Sequence, residues 1–484
     1  VHFLMQKLII VENPDSWKFD LEEVEVVSPA KYITDEAYQQ TKGLKVINLC
    51  KSYQYQSLGY YVSLLAEARK HKVLPGISTI QDLRFPSILR EDSQDFDDLI
   101  QSALKNVKTD KIEFDIYFGI TQPDSLNKLA RQLFQYVQAP CLSATFSKKN
   151  KWVLQSIKPL SLGEVPEADR PVLHTAVEKY LARKRDTKPD KKKYDLAILV
   201  NPDDKNPPSD EKAIQKFIKA GDQAGFNVEL ITKNDFGELI QYDALLIRET
   251  TFVNHHTFRF AKKAQSLGLA VIDDPDSILK CTNKVYLNEL LNANKILTPK
   301  SYVIGKDNYK RLPEKLTFPF ILKQPDGAFS KGVHKINDAN EFKQACSSMF
   351  QKSELLIAQE FLPTPFDWRV GIIDGQVLYV CKYFMASEHW QIVNWNAKHN
   401  QDGDVQTIAA DEAPSGLLKT ALKATSLIGK SLYGVDMKEV DGKFYVIEIN
   451  DNPNIDSGTE DKILKDKLYS AIMDVFLNKI KSDK

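Results

Sequence analysis

Five consecutive apolar residues, Leu196–Val200, stop abruptly at Asn201-Pro202. A run this short and unbroken leaves no polar face for solvent, so it fits a strand covered on both sides in a parallel sheet. A helical stretch leads to a second such run, Ala244–Ile247, and then to a third, Leu269–Ile272. Strand, helix and strand repeating at this spacing require right-handed crossovers and predict a small doubly wound domain. The N-terminal third repeats the theme as α/β: Lys7–Val11, Leu44–Leu49 and Phe114–Ile120 read as strands. Between them Leu58, Tyr61, Val62, Leu65 and Ala68 have the spacing of one helical face, closed by the basic Arg69–Lys72.

From about Ile296 onward the pattern becomes α+β. Asp374-Gly375 and Asp441-Gly442 each lie between two apolar runs, the strongest short hairpin signal. Leu417–Leu432 is apolar at helical spacing, and a closing helix is expected from about Lys462. Between Leu181 and Tyr194 the composition shifts to Arg183, Lys184, Arg185, Lys188, Lys191, Lys192 and Lys193 around Pro189. This reads as a solvated linker, the alternative being a basic strip that attracts an acidic partner.

A length of 484 residues allows two to four domains. Lys and Arg (65) balance Asp and Glu (65), which argues against nucleic acid as a bulk electrostatic partner. Cys50, Cys141, Cys281, Cys346 and Cys381 lie far apart without a CxxC pair, so reduced thiols in a cytoplasmic protein are expected. No apolar run approaches the ~20 residues of a membrane helix, and no basic region precedes a long apolar core at the N-terminus. The first methionine is Met5, and Val1 to Leu4 carry no weight in this reading.

The strongest chemical signal is the segment Tyr433–Pro453. Asp436 falls on one strand of the Asp441-Gly442 hairpin, and Glu448 and Asn450 lie two apart on the other, facing away from Ile449. Two carboxylates and an amide oxygen aimed at one point suit Mg2+, which takes oxygen ligands beside substrate phosphates. A polar face of an exposed hairpin explains any one of the three, but the trio less well. Upstream, Lys323 ends a buried strand, and Asp326–Gly332 is a turn with Gly327 and Gly332 near its ends. Such a turn can fold over a triphosphate while the lysine neutralises charge, although a strand-end lysine is usually just solvated. Leu355–Leu362 is an apolar strand entering a proline-rich turn, where the backbone can read adenine and Glu360 a ribose hydroxyl. Arg369 follows, placed either to reach a transferred phosphate or to make a surface pair with Asp367. Gly429-Lys430-Ser431 imitates the end of a P-loop, but Ala424 stands where that motif needs glycine. His389, His399 and the pair His255-His256 read as solvated loop residues, with no metal-ligand spacing.

In the order Lys284, Lys323, glycine turn, Gln359-Glu360, Arg369, Asp436 and Glu448-x-Asn450, the chain resembles the ATP-grasp superfamily. Within it the likeness is to RimK-type amino-acid ligases, with bacterial glutathione synthetase more distant. Ile272–Lys284 is similar to the end of that family's pre-ATP-grasp domain, where an asparagine or aspartate before a lysine opens a helix. The resemblance implies an N-terminal RimK-like α/β domain over 1–180, the basic linker over 181–193 and a Rossmann-like pre-ATP-grasp domain over 194–295. A two-subdomain ATP-grasp fold follows over 296–484, small subdomain about 296–365 and large about 366–484. Val46–Tyr61 carries the N-terminal likeness; its polar and aromatic residues follow a strand end, the usual ligand edge of an α/β sheet, but ordinary turn and helix-cap chemistry is the favoured reading.

The implied reaction is phosphorylation of a substrate carboxylate by ATP, then displacement of phosphate from the acyl-phosphate by an amine. By resemblance Lys284 and Lys323 would hold phosphates, Gly327, Ser330, Lys331 and Gly332 would cover them, and Gln359, Glu360, Phe361 and Leu362 would hold the nucleoside. Asp436, Glu448 and Asn450 would bind one or two Mg2+, for which Mn2+ can substitute, and Arg369 and Lys382 would steady the acyl-phosphate and oxyanion. Arg248, Asn394, Asn396, Asn454, Asp456 and Ser457 are the substrate-side candidates, with either lid asparagine, Asn394 or Asn396, matching the family's. Asp451–Gly458 departs from the small residues usual after the metal strand, which leaves the amine open. The partners the resemblance implies are an amino acid, glutamate in this family, and an amine, peptide or protein acceptor, in a homo-oligomer. Two rival readings are a glutathione-synthetase-like small-molecule ligase and a non-catalytic ATP-binding scaffold.

Overall fold

The computed structural model describes residues 7–482 apart from 18, 20, 22–23, 42, 84–96, 182–192, 327–331, 387–389 and 395–400. Most of the basic stretch read as a linker therefore lies outside the described residues. The chain divides into two compact units, residues 1–190 with 236–241, and residues 191–235 with 242–484.

In the first unit β1 (Lys7–Ile10), β2 (Val24–Val27), β3 (Lys45–Asn48) and β4 (Lys72–Leu74) form a parallel sheet in the order β2-β1-β3-β4. A separate antiparallel meander joins β5 (Lys111–Tyr117), β6 (Cys141–Lys148) and β7 (Trp152–Pro159). The helix Leu58–Ala68 forms where its spacing predicts, but turns a different face inward. Gly59, Val62, Ser63 and Ala66 are buried, while Leu58 is 50% and Tyr61 37% exposed. Close approach selects small residues here: a Cβ on Gly59 would meet Ser52 O at 2.4 Å. The buried Asn48 side chain fixes that approach, donating to Gly59 O at 2.7 Å and Ser63 Oγ at 2.9 Å.

The second unit opens with β8 (Tyr194–Leu199), β9 (Phe226–Ile231), β10 (Ala244–Ile247) and β11 (Ala270–Ile272), all parallel in the order β11-β10-β8-β9. Leu196 to Leu199 are fully buried, as expected of a strand covered on both sides. β9 escapes the sequence reading because it is an edge strand whose Asn227 and Glu229 interrupt the apolar run. The helix Glu211–Gln223, capped by Asp210, packs on the closing helix Asp466–Ser482 through Phe217 and Tyr469, ring centroids 4.8 Å apart. That closing helix starts four residues later than expected, after a run of turns. One hydrophobic core thus draws on residues from Tyr194 to Ile272 and again from Ile373 to Ile480.

Two antiparallel sheets complete the unit. β12 (Ser301–Gly305), β13 (Phe320–Lys323), β14 (Val333–Ile336) and β15 (Leu355–Glu360) run in the order β12-β15-β13-β14. β16 (Phe366–Ile373), β17 (Gln376–Phe384), β20 (Val405–Ile408), β21 (Leu432–Val440) and β22 (Lys443–Asn450) run in the order β20-β17-β16-β21-β22, with a short pair β18 (Val393–Asn394) and β19 (Gln401–Asp402). Both Asp-Gly turns have positive φ at each residue, 49° and 74° at Asp374-Gly375, 49° and 71° at Asp441-Gly442. These are the backbone twists that a two-residue hairpin loop needs. The apolar stretch Leu417–Leu432 is only partly helical: the helix is Ser415–Thr425, and Leu432 already begins β21.

Candidate active site

Three neighbouring strands carry three charged groups to one level. Arg369 of β16 pairs in register with Asp436 of β21, and Asp436 with Glu448 of β22. Arg369 donates Nε to Asp436 Oδ1 at 2.7 Å and Nη2 to Oδ2 at 2.8 Å, a bidentate fork. Asn450, two residues beyond Glu448 on the same face, donates Nδ2 to Asp436 Oδ2 at 3.1 Å. Lys284 reaches the group from the helix Lys284–Ala293, whose first turn is capped by the Asn283 side chain. Its Nζ lies 2.9 Å from Glu448 Oε1. Lys323, at the end of β13, is 8% exposed and donates to Gln359 Oε1 at 2.7 Å.

These side chains border a cavity of about 510 Å3 within the second unit. Lys284, Lys323, Gln359, Glu360, Phe361 and Leu362 line it beside Arg369, Asp436, Glu448 and Asn450, and Asn454 and Asp456 line it as well. Size and mixed polarity suit a small-molecule ligand. Burial lowers the Lys323 pKa to about 8, aided by Lys284 and Lys438 and opposed by Glu448. Burial works against ionisation of Glu448, yet Lys284 and Lys323 outweigh it and hold the carboxyl below its ordinary range. Burial likewise opposes the charge on Arg369, but Asp436 holds its pKa well above the usual value.

Several expectations need correction. Arg369 does not pair with Asp367, which instead takes Lys438 at 2.5 Å and Thr364. Lys382 lies on the opposite face of the sheet: it pairs with Trp368, and its Nζ sits over the rings of Phe366 and Trp368 at 4.9 and 4.8 Å. Tyr383 takes the cleft side in its place, with Arg369 stacked 4.8 Å over its ring and its hydroxyl donating to Glu460. Arg248 is 1% exposed and does not line the cavity. Its guanidinium binds Ser209 Oγ, Pro208 O, Asn452 Oδ1 and Pro453 O, tying two loops together. Ser457 does not line the cavity either, and its backbone N–H donates to Asp210 Oδ1 at 3.1 Å. Asn394 belongs to β18, Gly332 accepts from Gln324 N at 3.2 Å, and Gly327, Ser330, Lys331 and Asn396 fall outside the described residues.

Lys438 lines the cavity without having been singled out in the sequence, whereas Thr251 lies in the expected substrate-facing loop and Asp451 in the stretch that departs from the family. Period-two alternation along β21 puts Lys438 on the same face as Asp436. Burial raises the Asp451 carboxyl to about 7, and the hydroxyl of Thr251, 200 residues away in the chain, donates to it at 2.7 Å.

Residues 29–176 match the RimK-like ATPgrasp N-terminal domain, and residues 281–472 match the RimK-like ATP-grasp domain. Among curated proteins the chain is similar to the alpha-aminoadipate–LysW ligase LysX of Saccharolobus solfataricus, 23% identical over 49% of this chain and 88% of that one. It is also similar to the glutamate–LysW ligase ArgX of Sulfolobus acidocaldarius, 28% identical over 50% of this chain and 84% of that one. Among solved structures, D-alanine–D-alanine ligase from Bacillus anthracis aligns with a TM-score of 0.47 and 18% identity, covering 60% of this chain and all of that one.

Proposed function

The chain belongs to the RimK-like ATP-grasp family, and from that premise we propose an ADP-forming ligase that joins an acidic amino acid to a peptide, protein or small amine. In this reading residues 194–295 are the pre-ATP-grasp domain and 296–484 the ATP-grasp domain. The observation that carries the proposal is the row Arg369, Asp436 and Glu448 across three strands, facing Lys284 and Lys323 over one cavity. An acidic amino acid is supported by the two relatives named for alpha-aminoadipate and glutamate.

ATP would lie with its phosphates between Lys284 and Lys323 and its base against the Gln359–Leu362 strand end. The donors Asp436, Glu448 and Asn450 fit a hard divalent cation: two carboxylates on adjacent strands, and an amide whose nitrogen is engaged with Asp436 so that its oxygen is left as a ligand. Bound there, Mg2+ supplies charge neutralisation for the phosphates. Arg369 is placed to steady the transferred phosphoryl oxygens as a carboxylate oxygen attacks the γ-phosphorus and ADP leaves. The amine nitrogen then attacks the acyl carbon, phosphate departs and the amine loses a proton. Asp451, Asp456 and Glu460, which also line the cavity, suit a cationic amine.

The test is ADP release with ATP, Mg2+ and each amino acid in turn, with mass spectrometry of every reaction. A product heavier by one amino-acid residue supports the proposal and names the donor. Free dipeptide as the sole product favours a small-molecule ligase, and ATP binding without ADP release under any substrate pool or lysate overturns ligation.

Lys323 gives the ATP affinity a pH signature. With a pKa near 8 in the free protein, it is charged below that pH and neutral above it. Phosphate favours the charged form, so affinity is flat on the acid side and weakens as pH rises through 8, by up to about tenfold per unit. Calorimetric titration with ATP across this range checks it. A flat profile, or an unchanged inflection in Lys323→Arg, contradicts the assignment.

A further inference from the structure

The loop after β10 holds a cluster that the ligase site does not use. Glu249 has 3% of its side chain exposed, and His255 and His256 are half-buried. The two histidines are therefore not simply solvated loop residues. Neighbouring side chains diverge in a helix or a strand. Here His255 is an extended N-cap, φ −143° and ψ 159°, and His256 is the first residue of the helix His256–Ser266. That change of conformation brings the two rings to a centroid separation of 3.9 Å.

Glu249 Oε1 lies 2.8 Å from His256 Nε2, yet His256 Nε2 and Glu249 Oε2 are buried atoms without a hydrogen-bond partner among the described residues. The contact is at ion-pair distance, and the buried Glu249 Oε2 beside it is left with polar capacity that an ion would satisfy. One ligand atom from each of Glu249, His255 and His256 falls within 4.8 Å of the others. Metal–ligand bonds of roughly 2.1 Å keep tetrahedral ligand atoms roughly 3.4 Å apart, so the 2.8 Å contact would open by roughly 0.6 Å and the wider separations, up to 4.8 Å, would close by roughly 1.4 Å at most. His255 Nδ1 is 3.0 Å from the hydroxyl of buried Thr257, a partner that fixes the ring and leaves Nε2 as the ligand atom.

We propose that Glu249, His255 and His256 form a second metal site, for a borderline transition ion such as Zn2+, with an exchangeable ligand completing the coordination. Two imidazoles and one carboxylate select this class over Mg2+, whereas the all-oxygen set Asp436, Glu448 and Asn450 does the reverse. The site spans the loop that carries Thr250, Thr251 and Phe252, which line the large cavity. Thr251 in turn binds Asp451 at 2.7 Å. An ion joining the two ends of this loop clamps that wall of the cavity.

The test is titration of the metal-stripped full chain with Co2+ in excess Mg2+, followed by visible absorption and by paramagnetically shifted imidazole N–H resonances. One equivalent of Co2+, displaced by Zn2+, with two shifted exchangeable signals is the expected result. His255→Gln, on a half-exposed ring, is expected to leave one signal and to weaken binding by at least about tenfold. Glu448→Gln is expected to leave Co2+ binding intact. Absence of stoichiometric binding, binding unchanged in His255→Gln, or binding lost in Glu448→Gln alone overturns the site.

Discussion

Glu448→Gln is expected to lower ADP release by about a thousandfold or more, because one carboxylate serves three groups at once. It lies 2.9 Å from Lys284, it supports the charge on buried Lys323, and it stands beside Asp436 in register. The amide keeps the shape and removes the charge. Lys284 then loses its ionic partner, the Lys323 pKa falls below 8, and the oxygen donor set for the cation loses half of its charge. Steady-state ADP release at saturating Mg2+, with circular dichroism to verify folding, measures the effect. Activity within about tenfold of the parent would remove Glu448 from the mechanism.

Arg369→Met is expected to cost turnover by about a hundredfold to ten-thousandfold, and stability as well. Both partners of the fork are mostly buried, with 16% and 19% of their side chains exposed. Removing the guanidinium alone leaves the Asp436 carboxylate in place without it, a change that costs about 3–5 kcal/mol for buried pairs. The double variant Arg369→Met with Asp436→Asn separates the two effects: denaturant unfolding is expected to recover much of the stability, while turnover stays low. Recovery of turnover together with stability would reduce Arg369 to a structural ion pair. Arg369→Lys is expected to rescue little, since an ammonium cannot reproduce the fork.

The register of this site rests on two β-bulges. Counting back from the Asp441-Gly442 turn pairs Val440 with Lys443 and, without interruption, would set Asp436 opposite Ile447. A register shift between Asp436 and Met437 inserts one residue, so Asp436 meets Glu448 instead. A one-residue shift reverses every side chain beyond it, which is how the two carboxylates come to share a face. The same effect explains Lys382. From the Asp374-Gly375 turn an uninterrupted ladder sets Lys382 opposite Asp367, on the cleft side; the shift between Gly371 and Ile372 sets it opposite Trp368 and gives the cleft to Tyr383. Gly371 marks the place, since a Cβ there would lie 2.2 Å from the Tyr379 ring.

The sequence by itself determined the strands, the hairpins and the chemical types at the site, because apolar runs, Asp-Gly pairs and the alternation of Glu448 with Asn450 act over a few residues. Only the tertiary structure decided which faces those residues share and which distant groups they meet. Arg248 closes onto Pro208 and Pro453, and Asp451 meets Thr251, each through loops that meet in the folded chain. No local pattern encodes such meetings. They follow from burial: a buried charge or polar atom is costly until a partner reaches it, and packing sets which partner can.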